Sequence, residues 1–339
     1  MSKILISIYL CVLLSFCVSC SMSTKFDQSI NGVSFVSSGE QVTQKDLIPV
    51  LNLNANYAAV MPFGFIERLN HPNLRFNDSH QWFGERVEGV KQYVNQLHNN
   101  EIQVMLKPQI WVSDGEFTGN IKMNSEENWQ TFETIYADFI LTYAKVAQNN
   151  GVAIYCIGTE LEVFIKNRPE FWMNLIHDVR QVYKGKLTYA ANWDEYRKTP
   201  FWANLDYIGI DGYFPLSDEK TPTISVLKKG WAKHKSAMKK HADSLSKKIM
   251  FTEYGYRSVD YAAAKPWDVD YSKTTVNLQG QVVATQVLFD ELWQEKWFAG
   301  GFIWKWFIDH EASGGPNNSR FTPQNKPTEN VIRQVYKRH

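Results

Sequence analysis

The sequence predicts a single-domain (β/α)8 barrel, a TIM barrel of the α/β class. Three observations carry this. Eight short apolar segments recur along the chain, and longer amphipathic stretches separate most of them. Strands that alternate with helices lie parallel and are joined by crossovers. After residue 30 there is no Ser/Gly-rich linker, low-complexity tract or internal repeat to divide the chain. Eight units in one domain fit a closed barrel better than an open doubly wound sheet.

The N-terminus stands apart from this pattern. Lys3 precedes an apolar run from Ile4 to Val18, and Ser19-Cys20 follow. A short charged region and an h-region of this length read as a secretory signal, not a mature helix. The ending Val18-Ser19-Cys20 resembles a bacterial lipobox, with Cys17 standing where Leu is usual. Residues 1–19 are therefore expected to be a lipoprotein-type signal, and Cys20 the lipidated first residue. Residues 20–30 are polar enough for a tether, and the folded domain is expected over 31–339. The expected location is the bacterial cell envelope, lipid-anchored in the periplasm or at the cell surface, or secreted.

The eight strand segments are Asn31–Val36, Tyr57–Phe65, Ile102–Val112, Val152–Glu160, Lys186–Trp193, Leu205–Pro215, Lys248–Tyr256 and Gly300–Phe307. Helical periodicity fills Glu85–Asn100 and Ser125–Gly151. The second opens on Ser125, whose hydroxyl suits an N-cap, and stops at Asn149-Asn150-Gly151. A further helix has Pro169 near its start and Gly185 beyond its end. Two more follow, over Val226–Ser246 and Gly280–Trp297. The fifth unit is short, because only "DEYRKTPFWAN" separates strands five and six.

Composition excludes several function classes. The net charge of +1 gives no electrostatic case for nucleic acid. No Gly-x-Gly-x-x-Gly follows the first strand, so no dinucleotide cofactor is expected. No Gly-x-Ser-x-Gly occurs. The eight histidines are scattered, two of the four cysteines lie in the leader, and a third is Cys20. That leaves Cys156 as a small buried hydrophobe, with neither a metal nor any other cofactor expected. The 12 Trp suggest a large core, or ring platforms for a sugar-like ligand.

In such a barrel the active site lies at the C-terminal ends of the strands. Strand four, "VAIYCIGTE", ends in Glu160 and strand seven, "KIMFTEYGY", carries Glu253. Across a barrel mouth, two carboxyls suit glycoside hydrolysis: one gives a proton to the leaving oxygen, the other attacks the anomeric carbon. Proximity separates their ionisation, since two nearby anions are unfavourable. Glu162, two residues after Glu160, competes for the acid role; on a continuing strand both would share a face. It is also a candidate for binding a sugar hydroxyl. Further substrate-binding candidates at strand ends are Lys107, Trp111, Asn192, Trp193, Asp211, Tyr213 and Trp304. Tyr213 can instead orient the nucleophile, and Asp211 can organise the rim.

Glutamates ending strands four and seven mark the retaining barrel glycosidases of clan A. The motifs "IGTELE", "RPEFW", "YAANWDEY", "LDYIGIDGYFPL" and "FTEYGYRS" resemble, in order, glycoside hydrolase family 113. The resemblance runs from about Gly32 to the end of the eighth strand. Many clan members place Asn before the acid/base, where this chain has Thr159. The resemblance implies Glu160 as acid/base, Glu253 as nucleophile, and a β-1,4-linked mannan or manno-oligosaccharide as substrate. From the residues alone the substrate is a β-linked glycan. Another β-glycan such as glucan or galactan, and a catalytically inactive glycan-binding surface lipoprotein, stay open.

Overall fold

The computed structural model describes residues 29–270, 272 and 275–339. The leader, Cys20 and most of the tether lie outside the described residues. In chain order the elements are β1 (Ile30–Phe35), α1 (Gln44–Asn52), β2 (Tyr57–Val60), β3 (Phe63–Ile66), α2 (Val87–Asn99), β4 (Gln103–Leu106), β5 (Gln109–Val112), α3 (Glu126–Asn149), β6 (Ile154–Thr159), α4 (Glu162–Asn167), α5 (Pro169–Val182), β7 (Lys186–Asn192), β8 (Ile208–Asp211), α6 (Ile224–Leu245), β9 (Ile249–Tyr254), α7 (Leu278–Leu292), β10 (Phe298–Trp306) and α8 (Pro327–Tyr336). Strands β1, β2, β4, β6, β7, β8, β9 and β10 pair in parallel and close into a barrel, β1 meeting both β2 and β10. The chain is a (β/α)8 barrel.

Alternation along each strand builds two apolar layers. Ala58, Val60, Val104, Leu106, Tyr155 and Ile157 face the helices. Ala59, Met61, Met105, Met250 and Phe302 form a separate inner cluster. Both faces are covered, which is why the strands read as unbroken apolar runs. The ring of Phe302 needs Gly32 opposite it on the neighbouring strand β1: a Cβ there would lie 2.3 Å from Phe302 Cδ1. Lys107 stands two residues beyond Met105 and so shares its inward face.

The second and third apolar runs are each broken in two. Pro62 and Pro108 interrupt them, and proline has no N–H to give a ladder. Beyond these prolines β3 and β5 form a separate two-stranded parallel sheet, with Phe63 opposite Gln109 and Phe65 opposite Trp111. The fifth unit has only a 3-10 turn, Trp202–Asn204, in place of a helix. Ser125 Oγ accepts the Asn128 N–H at 3.1 Å and caps α3. Helices α1, α4 and α8 are additions to the sequence reading. α1 carries Pro49 inside nine residues, and α4 has only six. Cys156 is fully buried with a free thiol.

Candidate active site

Glu253 is the centre of a buried polar cluster at the end of β9. Register places it beside Asp211, the last residue of β8. The Lys107 ammonium donates to Glu253 Oε1, and Gln109 Nε2 donates to the same oxygen at 3.1 Å. The Tyr213 hydroxyl donates to Oε2 at 2.8 Å. Three donors thus meet both carboxyl oxygens, the acceptor role that an ionised carboxylate fills. Lys107 also reaches Asp211 Oδ1 at 3.3 Å, and Thr252 Oγ1 donates to that oxygen at 2.7 Å.

Two candidate substrate-binding residues are corrected here. Lys107 is 0% exposed and Asp211 1%, so neither can touch a glycan. Lys107 meets the Glu253 carboxyl directly and Asp211 meets Lys107, so both act through Glu253. Burial opposes the charge on Lys107, but the Asp211 and Glu253 carboxylates outweigh it and hold the ammonium protonated well above its usual range. Burial and the Glu253 charge push Asp211 up to about 7, against the pull of Lys107 and Thr252.

Glu160 follows the last residue of β6, and its φ is +52°. This left-handed conformation is unusual for a residue with a side chain, and ends the strand abruptly. Its N–H donates to Ala190 O at 2.8 Å, and its carbonyl accepts from Thr118 Oγ1 at 3.4 Å. Gly158, two residues earlier, leaves room for the rings behind it: a Cβ there would lie 2.7 Å from the Tyr136 hydroxyl and 3.2 Å from the Tyr189 ring.

Burial raises the Glu160 ionisation well above the ordinary carboxylate range, and the Asp211 and Glu253 charges add to this while Lys107 opposes it. Glu160 therefore keeps its proton where an ordinary glutamate has lost it. The two glutamates are differently served: Glu253 is met by donors, while burial and the neighbouring charges disfavour ionisation of Glu160. That is the division of labour between an attacking carboxylate and a proton donor. Turnover that needs protonation of a poor leaving group is expected to fall as pH rises through the Glu160 ionisation. A pH profile of kcat/KM checks this, and Glu160→Ala should flatten that basic limb.

Glu162 does not share a face with Glu160. The strand stops at Thr159, the chain turns, and Glu162 begins α4. Its carboxylate accepts from Lys198 Nζ at 2.7 Å. Asn192 ends β7, and its Oδ1 accepts the Trp193 N–H at 2.8 Å. Trp193 stacks on Trp267, ring centroids 5.3 Å apart and planes 21° apart. Trp111 is 54% exposed on the outer sheet, beside the ring of Phe63. Trp304 is half-buried against the inner barrel cluster, and its peptide bond to Lys305 is cis.

Several neighbours were not among the sequence candidates. Gln109 contacts Glu253, and only its place on the third strand run hinted at this. Lys305 Nζ lies 5.4 Å from the Trp304 ring centre and 5.1 Å from that of Phe307. Burial disfavours its charge, with Glu253 supporting it and Arg320 opposing it. Glu195 is buried, and in "NWDEY" nothing distinguishes it from Asp194. Among the described residues no group of three or more His, Cys, Asp or Glu is arranged to hold a metal ion.

The sequence matches the model of glycoside hydrolase family 113 over residues 37–326. No curated protein matches the chain. The family 113 β-mannanase of Alicyclobacillus acidocaldarius superposes with a TM-score of 0.79 at 23% identity, covering 92% of this chain and 98% of that one. A second family 113 β-1,4-mannanase structure gives 0.80 at 21% identity, over 92% and 100%. The β-glucuronidase of Faecalibacterium prausnitzii shares the barrel more distantly, with a TM-score of 0.57 at 16% identity over 92% of this chain and 49% of that one. At these identities the superpositions establish the shared fold.

Proposed function

The chain belongs to glycoside hydrolase family 113, and from that membership we propose that this glycoside hydrolase is a retaining endo-β-1,4-mannanase. One observation supports the mechanism above the others. Glu160 and Glu253 stand at the ends of two barrel strands, the second met by three donors and the first placed where burial disfavours its charge. In this reading Glu160 protonates the glycosidic oxygen while Glu253 Oε attacks the anomeric carbon. A glycosyl–Glu253 ester forms and the leaving sugar departs with the proton. Ionised Glu160 then takes a proton from water, the water attacks the anomeric carbon and displaces the Glu253 carboxylate, and the sugar leaves with its starting configuration.

Lys107, Asp211 and Thr252 fix the Glu253 carboxyl from below, and Tyr213 fixes it from the side. Trp304 supplies an aromatic floor for the sugar being cleaved, since the C–H faces of pyranose rings pack on aromatic faces. Trp111 is a more distant platform, two positions outward from Gln109 on the same face of β5. Asn192 is a candidate partner for the sugar's 2-hydroxyl.

The mannan preference rests on the family and on what its solved members are described as cleaving. Turnover on a panel of β-1,4-mannan, cellulose, xylan and β-galactan tests it. Release of manno-oligosaccharides whose new reducing ends are first seen as the β-anomer by NMR is expected. Faster turnover of another β-glycan would replace the substrate, and binding without turnover would replace the enzyme with a glycan-binding protein. Attachment of the mature chain to the envelope through a lipid on Cys20 rests on the leader sequence alone; the mass of the mature N-terminal peptide tests it.

A further inference from the structure

Behind Glu160 lies a buried pair that the catalytic cycle above does not use. Glu195 is 2% exposed on the turn after β7, and Tyr189 is fully buried on β7 itself. Glu195 Oε2 accepts the Asn192 N–H at 3.1 Å, and Oε1 accepts the Tyr189 hydroxyl at 2.9 Å. The oxygen of Tyr189 in turn accepts the Leu161 N–H at 2.6 Å. Leu161 is bonded directly to Glu160. The chain of contacts therefore runs from a buried carboxylate, through a phenol, to the peptide that follows the proposed acid.

We propose that Glu195 and Tyr189 are positioning residues for proton donation: together they hold the Glu160–Leu161 peptide in its left-handed turn and so aim the Glu160 carboxyl at the leaving oxygen. This rests on the reading of Glu160 as acid/base. Three features of the turn support it. A non-glycine residue at φ +52° persists only where its surroundings over-determine it. Here the two peptides flanking Glu160 are tied to β7, one through Ala190 O and one through the Tyr189 hydroxyl.

Second, the phenol cannot drift. Its ring packs edge-on against Trp172 and Phe201, at 5.7 Å and 5.6 Å between centroids. Third, the group behind the phenol accepts at both oxygens. Glutamine could take the Tyr189 proton with its carbonyl oxygen but would meet the Asn192 N–H with an amide N–H, donor against donor. Burial, with Glu162 and Asp211, outweighs the Asn192 N–H and the Tyr189 hydroxyl and pushes Glu195 up to about 7. A carboxylate is an expensive choice at such a place if two apolar side chains would serve for packing.

The test uses leaving-group sensitivity in Glu195→Gln and Tyr189→Phe. Aryl β-mannobiosides with leaving phenols of graded acidity are compared by kcat/KM, which reports the glycosylation step. A dinitrophenolate leaves without a proton; a weakly acidic phenol needs one. If the pair positions the acid, the variants lose roughly 10-fold or more additional kcat/KM on the poorest leaving group than on dinitrophenolate. The ratio within one variant is independent of how much of it is folded. Equal losses across the series, or none, would overturn the inference. A native enzyme inactive on the whole series, and on the same aryl series built from the sugar that the glycan panel identifies, would overturn the functional reading and this inference with it.

Discussion

Replacing Glu253 with alanine is expected to lower kcat/KM on β-1,4-mannan by about 10⁴-fold or more. Without the carboxylate there is no group to form the covalent intermediate, and water admitted to the space would give the opposite anomer. The substitution also strips Lys107 of one of its two carboxylates. Glu253→Gln separates these effects. Its amide oxygen can still accept from Lys107 and Gln109, and the Tyr213 hydroxyl can turn to accept from the amide nitrogen. Glu253→Gln should therefore keep the fold and lose the activity. Azide added to Glu253→Ala with a dinitrophenyl β-mannobioside should restore turnover and yield the α-azide. Retained mannanase activity in the folded glutamine variant would remove Glu253 from the nucleophile role.

Lys107→Met should give the largest loss of stability of any single change at the site, about 3–5 kcal/mol. The reason is what it leaves behind. Asp211 and Glu253 are adjacent in register, both buried, and Lys107 is the cation between them. Methionine fills the volume but leaves two carboxylates facing each other. One of them must then take up a proton or the cluster must open. The urea midpoint should fall with the slope unchanged, the sign of lost stability in an otherwise intact two-state transition. A midpoint equal to the native one would mean that the carboxylates neutralise at little cost, and that the cluster is not held by its charge.

The barrel was legible in the sequence because each parallel strand is covered on both faces and so appears as an apolar run. The same property hid the breaks at Pro62 and Pro108, where apolar residues continue but the ladder does not. Helices α1, α4 and α8 escaped because a short helix shows too few turns for its period to emerge. At the site, the two glutamates could be read from strand-end position. Burial could not: Lys107 and Asp211 look like rim residues in a linear list, yet they are 0% and 1% exposed around the Glu253 carboxyl. Glu162 leaves the face of Glu160 for a local reason, the left-handed turn at Glu160 that ends the strand. Glu195 was passed over because its role depends on Tyr189, six residues earlier and across a turn.

The central claim is that Glu253 forms a covalent bond to the sugar while Glu160 supplies and removes the proton. The most direct measurement is mass spectrometry of the protein incubated with dinitrophenyl 2-deoxy-2-fluoro-β-mannobioside. Fluorine at C2 slows both steps, and the good leaving group lets the first proceed. The predicted result is one glycosyl unit per chain, located by peptide mapping on Glu253. A label on any other residue, or no adduct together with α-configured first product from mannan, would contradict it.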